Sequence, residues 1–165
     1  MKTAIITGAG SGIGLATARL LAREGFRLGL IGRRKTFIEE VADEIRQAGG
    51  QAWTGALDVR DALAVDLFVR NSLPPSGKLD LLVHAAGIFQ MQPFEKTSPE
   101  LWDETVSINL TGAYVVSKAV WQHIDGGQII YISSVAGIEP YPGCAAYSAS
   151  KYGLIGLSQV LALEG

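Results

Sequence analysis

The sequence predicts an α/β fold in which helices cover both faces of a parallel sheet. Short apolar runs alternate with longer amphipathic segments along the whole chain, and Gly, Asp or Ser residues bound the short runs. The composition, 48% hydrophobic and 18% charged, is that of a globular protein. Because 165 residues is a common domain size, we expect a single domain over residues 1–165.

Five short apolar runs are predicted as strands, and five longer segments as helices. The strands are Thr3–Thr7, 27–31, 51–57, 79–84 and 128–133, and the helices are 12–24, 36–47, Ala62–Ser72, 99–123 and 144–164. Ser98 followed by Pro99 forms a capped helix start. Glycines after Glu24, Ala48 and Asp125 mark helix ends. The segment Leu73-Pro74-Pro75-Ser76-Gly77 is the clearest loop.

Charge and cysteine content exclude several classes of protein. The formal net charge is -2 and the longest basic run is Arg33-Arg34-Lys35, so we expect no nucleic-acid partner. Cys144 is the only cysteine, which suits a reducing compartment; we interpret it as a small, partly buried residue, with a reactive thiol as the alternative. No apolar run has the length of a signal-peptide core or a membrane helix, so we expect a cytoplasmic protein that binds no membrane.

A glycine-rich turn joins the first strand to the first helix. Gly8, Gly12 and Gly14 have the spacing G-x-x-x-G-x-G, with Gly10 between them, and not the usual G-x-G-x-x-G. Glycines at such a turn let the backbone approach a pyrophosphate and direct a helix N-terminus at it, and Ser11 adds a hydroxyl donor. The turn therefore predicts a dinucleotide site, with a simple strand-to-helix connection as the alternative.

Two arginines follow the second strand, where an NAD-binding domain usually has an acidic residue for the ribose hydroxyls. Arg33 and Arg34 are suited to pair with a 2′-phosphate, although a solvated surface pair is the alternative. The sequence therefore favours NADP(H) as cofactor and leaves NAD(H) open.

A serine, a tyrosine and a lysine are placed where ligands of open α/β sheets bind. Ser134 follows the carboxyl end of the fifth predicted strand. Tyr147 and Lys151 are four residues apart on a predicted helix and so share one face. A nearby ammonium favours a phenolate and lowers the phenol pKa, which makes a tyrosine usable as a general acid or base. Since this spacing also arises by chance, the other motifs decide its meaning.

Six motifs resemble those of the short-chain dehydrogenase/reductase family in order and spacing. They are residues 7–14, Leu57-Asp58-Val59, His84-Ala85-Ala86-Gly87, Ile108-Asn109-Leu110-Thr111-Gly112, Ile132-Ser133-Ser134 and residues 147–151. The resemblance covers the whole chain. It implies a Rossmann-like, doubly wound sheet with strand order 3-2-1-4-5.

The resemblance also implies roles for individual residues. Tyr147 is the catalytic acid/base, Lys151 holds the nicotinamide ribose, Ser134 bonds the substrate oxygen and Asn109 helps to hold a proton relay. The implied cofactor contacts are Gly8, Ser11, Gly12, Ile13, Gly14, Arg33, Arg34, Asp58, Val59, Ala85, Ala86, Gly87, Tyr147 and Lys151. No metal ion is expected. The implied function is an NADP(H)-dependent oxidoreductase that interconverts a carbonyl compound and an alcohol.

Four positions have simpler interpretations or depart from the family. Asn109 could interrupt its helix by local hydrogen bonding, and Asp58 could cap the next turn. His84 stands where the family usually has Asn, so we expect a structural imidazole with a hydrogen-bond partner. His123 at a helix end is explained by the helix dipole.

The chain is shorter than the family members it resembles. The family's last strands and substrate lid would then be absent, leaving strand 128–133 as an exposed edge. A non-catalytic form that binds a dinucleotide or a partner is therefore the alternative function. We expect a homodimer or homotetramer through helices 99–123 and 144–164, with an apolar seam of Val115, Val116, Leu154, Leu157 and Leu161. A small, hydrophobic carbonyl or alcohol substrate is expected beside Phe89, Met91, Val135, Ile138 and Tyr141.

Overall fold

A five-stranded parallel sheet forms the centre of the part of the chain that the computed structural model describes, residues 1–74 and 76–165. Its strands are β1 (Thr3–Thr7), β2 (Arg27–Gly32), β3 (Gln51–Ala56), β4 (Leu81–His84) and β5 (Gln128–Tyr131). The order is β3-β2-β1-β4-β5, and all four strand pairs are parallel. The predicted α/β class and strand order are therefore confirmed. Pro75 of the predicted loop lies outside the described residues.

Six α-helices connect and follow these strands. They are α1 (Gly12–Arg23), α2 (Lys35–Gln47), α3 (Ala62–Ser72), α4 (Pro99–Val106), α5 (Gly112–Val120) and α6 (Ala145–Glu164) among the residues described. The predicted cap before α4 forms, because the Ser98 hydroxyl accepts a hydrogen bond from the Leu101 N–H at 3.2 Å. Gly25 and Gly49 follow α1 and α2 in left-handed conformations and end them as predicted.

The single helix predicted over residues 99–123 is interrupted. A π-helical segment, Ser107–Thr111, separates α4 from α5, and a 3₁₀ turn, Trp121–His123, follows α5. Asn109 lies in the π-helical segment and directs its side chain at the backbone of Ile88 outside the helix. Apolar periodicity does not reveal such a widened turn, which is common at functional sites.

The inner strands β1, β2 and β4 are buried on both faces of the sheet, which explains their continuous apolar residues. Ile6 lies in one core cluster with residues of α1 and α2, while Ile5 lies in another with residues of α3 and α5. Both isoleucines are fully buried. Consecutive residues of a strand point to opposite faces, so each face receives an apolar side chain.

The predicted apolar seam between subunits needs correction. Val116 and Leu154 are 0% and 1% exposed and so are buried within the chain itself, Val116 under the sheet. Only Val115, Leu157 and Leu161 of that set remain partly exposed. The periodicity correctly identified apolar helix faces, but it carries no information about which element covers them.

Four strand boundaries also differ from the prediction. β2 ends one residue later, at Gly32, and β3 ends one residue earlier, at Ala56. β4 begins at Leu81 and not at Leu79, and β5 ends at Tyr131. Ser133 and Ser134 therefore lie in the connection after the strand. β5 is an edge of the sheet, as predicted, since it pairs only with β4 among the described strands. Among the helices of the described residues, none combines the length and the apolar character that a membrane span requires.

Candidate active site

The glycine-rich turn after β1 packs directly against the backbone that follows β4. Gly8 has a φ of 67°, and a Cβ at this residue would lie 2.8 Å from both the Ala85 oxygen and the Ala86 nitrogen. A Cβ on Gly14 would lie 2.3 Å from the Gly8 oxygen. Because real Cβ atoms do not approach other atoms so closely, these two positions exclude any side chain. The turn and residues 85–86 are thereby held together at one end of the sheet.

A buried threonine and histidine reinforce this contact. Thr7 Oγ1 accepts a hydrogen bond from the Ala86 N–H at 3.0 Å and shares another with His84 Nδ1 at 3.1 Å. His84 is 1% exposed, and burial lowers its pKa to about 3, with a smaller contribution from the charge of Lys151. The predicted hydrogen-bond partner of His84 thus exists. The role of Thr7 was not predicted, although its place directly before Gly8 was the available signal.

A cavity of about 440 Å³ opens beside the turn. Eight of the predicted cofactor contacts line it: Gly8, Ser11, Arg33, Arg34, Asp58, Val59, Ala86 and Gly87. The other six do not line it: Gly12, Ile13, Gly14 and Ala85, which are adjacent in sequence to lining residues, and Tyr147 and Lys151. Gly10, Gly32, Ile38, Leu57, Ile88 and Ile108 complete the wall and were not predicted.

Asp58 is engaged by an arginine two residues away. Its Oδ1 accepts hydrogen bonds from the Arg60 N–H and Nε, both at 3.0 Å, and its Oδ2 accepts one from Nη2 at 2.6 Å. This pairing lowers the pKa of the Asp58 carboxyl. Asp58 thus caps the turn that follows it, as suggested, by accepting from the Arg60 N–H. The helix α3 is capped by a different residue, Asp61, which accepts from the Ala64 N–H.

Tyr147 and Lys151 lie on the first turns of α6, on one face as predicted. The Lys151 Nζ is 5.6 Å from the centroid of the Tyr147 ring. The Phe89 ring meets the Tyr147 ring edge-on, with 4.8 Å between centroids. Tyr147 is partly exposed, whereas Lys151 is only 6% exposed. The tyrosine therefore faces the open side of the site and the lysine stands behind it.

The Lys151 ammonium is held by the backbone and lies near Gly87. Its Nζ donates a hydrogen bond to the Ile132 oxygen at 2.7 Å. A Cβ on Gly87, which lines the cavity, would lie 3.8 Å from this Nζ. Burial lowers the pKa of Lys151, and no carboxylate partner offsets this effect among the described residues.

Asn109 connects three segments of the site. Its Oδ1 accepts from the Ile88 N–H at 2.8 Å, and its Nδ2 donates to the Ile88 oxygen at 3.0 Å and to Ser150 Oγ at 3.1 Å. Ser150 in turn donates to the Tyr147 oxygen at 2.7 Å. Asn109 is fully buried. The amide thus bonds outside its own helix, which is more than the local interruption that the sequence suggested.

Ser134 begins a 3₁₀ turn, Val135–Gly137, after β5. Its Oγ accepts a hydrogen bond from the Ala136 N–H at 3.2 Å, so its hydroxyl hydrogen is free to donate elsewhere. The five predicted substrate contacts, Phe89, Met91, Val135, Ile138 and Tyr141, are all exposed apolar or aromatic side chains.

Comparison with models of known protein families identifies the family of this chain. Residues 2–165 match the family model described as short chain dehydrogenase. The chain belongs to the short-chain dehydrogenase family.

Individual relatives of this family are similar to the chain over almost its whole length. D-threitol dehydrogenase of Mycolicibacterium smegmatis is 35% identical over 166 residues, covering 99% of this chain and 64% of the relative. Carveol dehydrogenase of Mycobacterium avium, solved in complex with NAD, has a TM-score of 0.91 at 32% identity, covering 99% and 65% of the two chains. A variant of actinorhodin polyketide ketoreductase, solved with NADPH, has a TM-score of 0.91 at 35% identity, covering 99% and 64%. The chain thus spans about two thirds of the length of these relatives.

Two further residues considered in the sequence, Cys144 and His123, lie outside the site. Cys144 is 2% exposed and precedes α6, so it is a buried residue as interpreted. His123 Nδ1 lies 3.1 Å from the Gly77 oxygen, which gives this histidine a specific bond beyond the helix-dipole effect that we expected.

Proposed function

We propose that the protein is an NADP(H)-dependent oxidoreductase that interconverts a carbonyl compound and an alcohol, with Tyr147 as the general acid/base. The observation that carries this proposal is the Tyr147 and Lys151 pair, with 5.6 Å between the ammonium and the phenol ring, beside a cavity whose turn excludes side chains. D-threitol dehydrogenase, carveol dehydrogenase and the polyketide ketoreductase support an alcohol or carbonyl substrate.

The residues around the cavity fit a dinucleotide. The helix α1 begins directly at the turn, and the Ser11 side chain makes no capping hydrogen bond to it. Its first N–H groups are therefore available to an anion such as a pyrophosphate. Gly8 and Gly14 let the turn pack closely against residues 85–86 and against the start of α1, while Gly12 leaves open space at the turn. The relatives solved with NAD and NADPH support a nicotinamide dinucleotide.

Two arginines support NADP(H) over NAD(H). Arg33 and Arg34 line the cavity after β2, where no acidic residue stands. The Arg33→Asp substitution should weaken NADPH binding more than NADH binding, as measured by fluorescence titration of the reduced cofactors. Equal losses, or none, would contradict a role of Arg33 in selecting the cofactor.

The proposed chemistry assigns one task to each residue of the site. When bound, a reduced nicotinamide would supply the hydride that the carbonyl carbon of the substrate takes up. Tyr147 donates its phenolic proton to the carbonyl oxygen, and Ser134 holds that oxygen with its free hydroxyl hydrogen. The Lys151 ammonium favours the resulting phenolate and retains two further N–H donors for the cofactor ribose.

Asn109 supports this arrangement from behind. Its amide fixes Ile88, which lies directly after Gly87, and Ser150, which lies directly before Lys151. We therefore propose that Asn109 is a positioning residue for the lysine, with the proton relay implied by the family resemblance.

Turnover tests the proposal. The purified protein is assayed with NADPH and a panel of ketones, and with NADP and the matching alcohols, by the absorbance of the reduced nicotinamide. Tyr147→Phe should lower turnover by roughly 10²- to 10⁴-fold, the usual contribution of a general acid or base. Tyr114→Phe is the matched control, because Tyr114 is an exposed tyrosine on α5, outside the site.

Two outcomes would contradict the proposal. Equal turnover in Tyr147→Phe and the unmodified protein would exclude the tyrosine as acid/base. Tight NADPH binding without turnover of any substrate would support the alternative, a non-catalytic form that binds a dinucleotide.

A further inference from the structure

An exposed phenylalanine packs against the glycine-rich turn. Phe37 lies in the first turn of α2 and is 44% exposed. A Cβ on Gly10 would lie 3.1 Å from the Phe37 Cβ, so the two residues are in close contact. Ile38, the next residue, is 1% exposed and provides the anchor of this helix turn in the core. The contacts of Gly10 and Ile38 therefore fix where the Phe37 side chain leaves the helix, and they leave one face of its ring accessible to another group.

The guanidinium of Arg34 occupies that ring face. Its Cζ lies 4.0 Å from the Phe37 ring centroid, well within the range of a cation–π interaction. Arg34 is the N-cap residue of α2, three positions before Phe37, so both side chains lie on one side of the helix. The ring thereby limits the directions in which a long, flexible arginine can point.

The same guanidinium reaches back to the glycine-rich turn. Arg34 Nη2 donates a hydrogen bond to Ser11 Oγ at 3.3 Å, and both residues line the cavity. Since the serine oxygen acts as acceptor here, its own hydroxyl hydrogen can be donated to a ligand. Arg34 also keeps N–H groups that bind nothing in the described chain.

Charge at this corner of the cavity is unbalanced. Neither Arg33 nor Arg34 forms an ion pair with a carboxylate in residues 1–74 and 76–165. Arg33 and Asp58 both line the cavity; the pKa of the Asp58 carboxyl is lowered mainly by its hydrogen bonds from Arg60, and the charge of Arg33 adds a smaller contribution. Arg34 lies on the Ser11 side of the cavity. A planar guanidinium beside a hydroxyl donor is suited to a phosphate monoester, which accepts several charge-assisted hydrogen bonds.

We propose that Phe37 is a positioning residue that holds Arg34 beside Ser11, and that Arg34 and Ser11 bind the phosphate monoester on the adenosine ribose of the cofactor. This inference rests on the proposed binding of NADP(H). It makes Arg34 the main determinant of cofactor choice, whereas Arg33 contributes a longer-range charge.

Equilibrium binding separates this role from general stability. NADPH, NADH, 2′,5′-ADP and 5′-AMP are titrated into the unmodified protein and into Phe37→Leu, Phe37→Trp and Arg34→Met. Arg34→Met should weaken NADPH and 2′,5′-ADP by about 10- to 100-fold, the usual effect of losing hydrogen bonds to a charged group. Phe37→Leu should weaken the same two ligands by about 2- to 5-fold, and Phe37→Trp should restore them, because indole also binds cations. NADH and 5′-AMP lack the monoester at that position and should bind equally well to all variants.

A matched control is available at the other end of β2. Phe26 also lies near a cation, with Lys2 Nζ 6.0 Å from its ring centroid, but it does not line the cavity. Phe26→Leu should leave the ratio of NADPH to NADH affinity unchanged. A change of that ratio in Phe26→Leu would show that the effect is not specific to Phe37.

Three further results would overturn the inference. If Phe37→Leu weakened NADPH and NADH equally, or if Phe37→Trp behaved like Phe37→Leu, the ring would not position Arg34. If Arg34→Met bound NADPH as well as the unmodified protein, the phosphate site would lie elsewhere. In these cases the turnover test still decides the proposed function. If the unmodified protein bound neither NADPH nor NADH, both proposals would fall together.

Discussion

Position 84 gives the sharpest test of the buried polar network, because a histidine stands there in the core. His84 is 1% exposed and its pKa is lowered from 6.5 to about 3, mainly by burial. Above pH 6.5 the imidazole is neutral in both the folded and the unfolded chain, so it causes no pH dependence. Below pH 6.5 the unfolded chain takes up a proton that the folded chain refuses. Stability is therefore lost as the pH falls from about 6.5 towards 3.

The size of the loss follows from the width of this window. A group protonated only in the unfolded state lowers the free energy of unfolding by about 1.4 kcal/mol per pH unit. Between pH 7 and pH 5 the contribution of His84 should be about 2 kcal/mol, a large share of the stability of an average domain. Other titrating groups add their own terms, so only the difference between the protein and a variant isolates His84.

The variant His84→Asn removes the titration and keeps a polar side chain. Urea unfolding at pH 7 and pH 5, followed by the fluorescence of the three tryptophans, gives the free energy of unfolding at each pH. The loss between the two pH values should be about 2 kcal/mol smaller in His84→Asn, whatever its stability at pH 7. His84→Gln provides a second neutral side chain in case the shorter amide leaves the site underpacked.

A substitution that leaves every titratable group in place serves as control. Gly156→Ala, which changes no titratable group and has open space at its Cβ position, should keep the same loss between pH 7 and pH 5 as the unmodified protein. The reasoning fails if His84→Asn loses as much stability as the unmodified protein, because His84 would then accept a proton in the folded state.

Three further substitutions test the turn and the site. Gly14→Ala places a Cβ against the Gly8 oxygen, so it should lower the Tm by several degrees and weaken NADPH binding at least ~10-fold. Gly156→Ala is the control, because no atom lies within 4 Å of its Cβ position, and it should keep or raise the Tm. Asn109→Leu leaves the Ile88 N–H and C=O without their partner and should cost about 2 kcal/mol or more in urea unfolding; a loss below ~0.5 kcal/mol would contradict the network. Ser134→Ala should lower kcat by roughly 10²-fold without a comparable rise in KM, and an unchanged kcat would remove Ser134 from the proposed chemistry.

The strand order was predictable because a parallel sheet with helices on both faces leaves few choices once the glycine turn and the family motifs are aligned. The strand boundaries were harder to predict, because a strand ends where its hydrogen-bond partners end and not where its apolar residues end. Leu79 is fully buried, yet it bonds to the His123 oxygen and precedes the strand. Apolarity therefore located the strands without defining their limits.

Features that depend on distant parts of the chain could not be predicted. The π-helical segment forms around Asn109, whose partner Ile88 is 21 residues away. Val116 has the periodicity of an interface residue but is covered by the chain's own sheet. Phe37 reads as one more apolar residue of an amphipathic helix, and only its contact with Arg34 suggests a different purpose. In each case the deciding neighbour is remote in sequence or depends on a side-chain conformation.

His84 also links the two halves of the site, because its side chain and its backbone oxygen take part in two separate sets of hydrogen bonds. The Ala86 N–H bonds to Thr7, Thr7 bonds to the His84 ring, and the His84 oxygen accepts from the Ile132 N–H at 3.0 Å. The Ile132 oxygen then accepts from the Lys151 Nζ at 2.7 Å. The two sets together cross β1, β4 and the end of β5, and so connect the glycine-rich turn to the lysine beside Tyr147. The side chain of residue 84 makes the hydrogen bond towards the glycine-rich turn, and its backbone oxygen makes the one towards Ile132 and Lys151. A substitution at residue 84 therefore alters the turn directly, whereas it reaches the hydrogen bonds of Lys151 only through the geometry of the strands. The histidine ring is therefore tied more closely to the glycine-rich turn than to the position of the lysine.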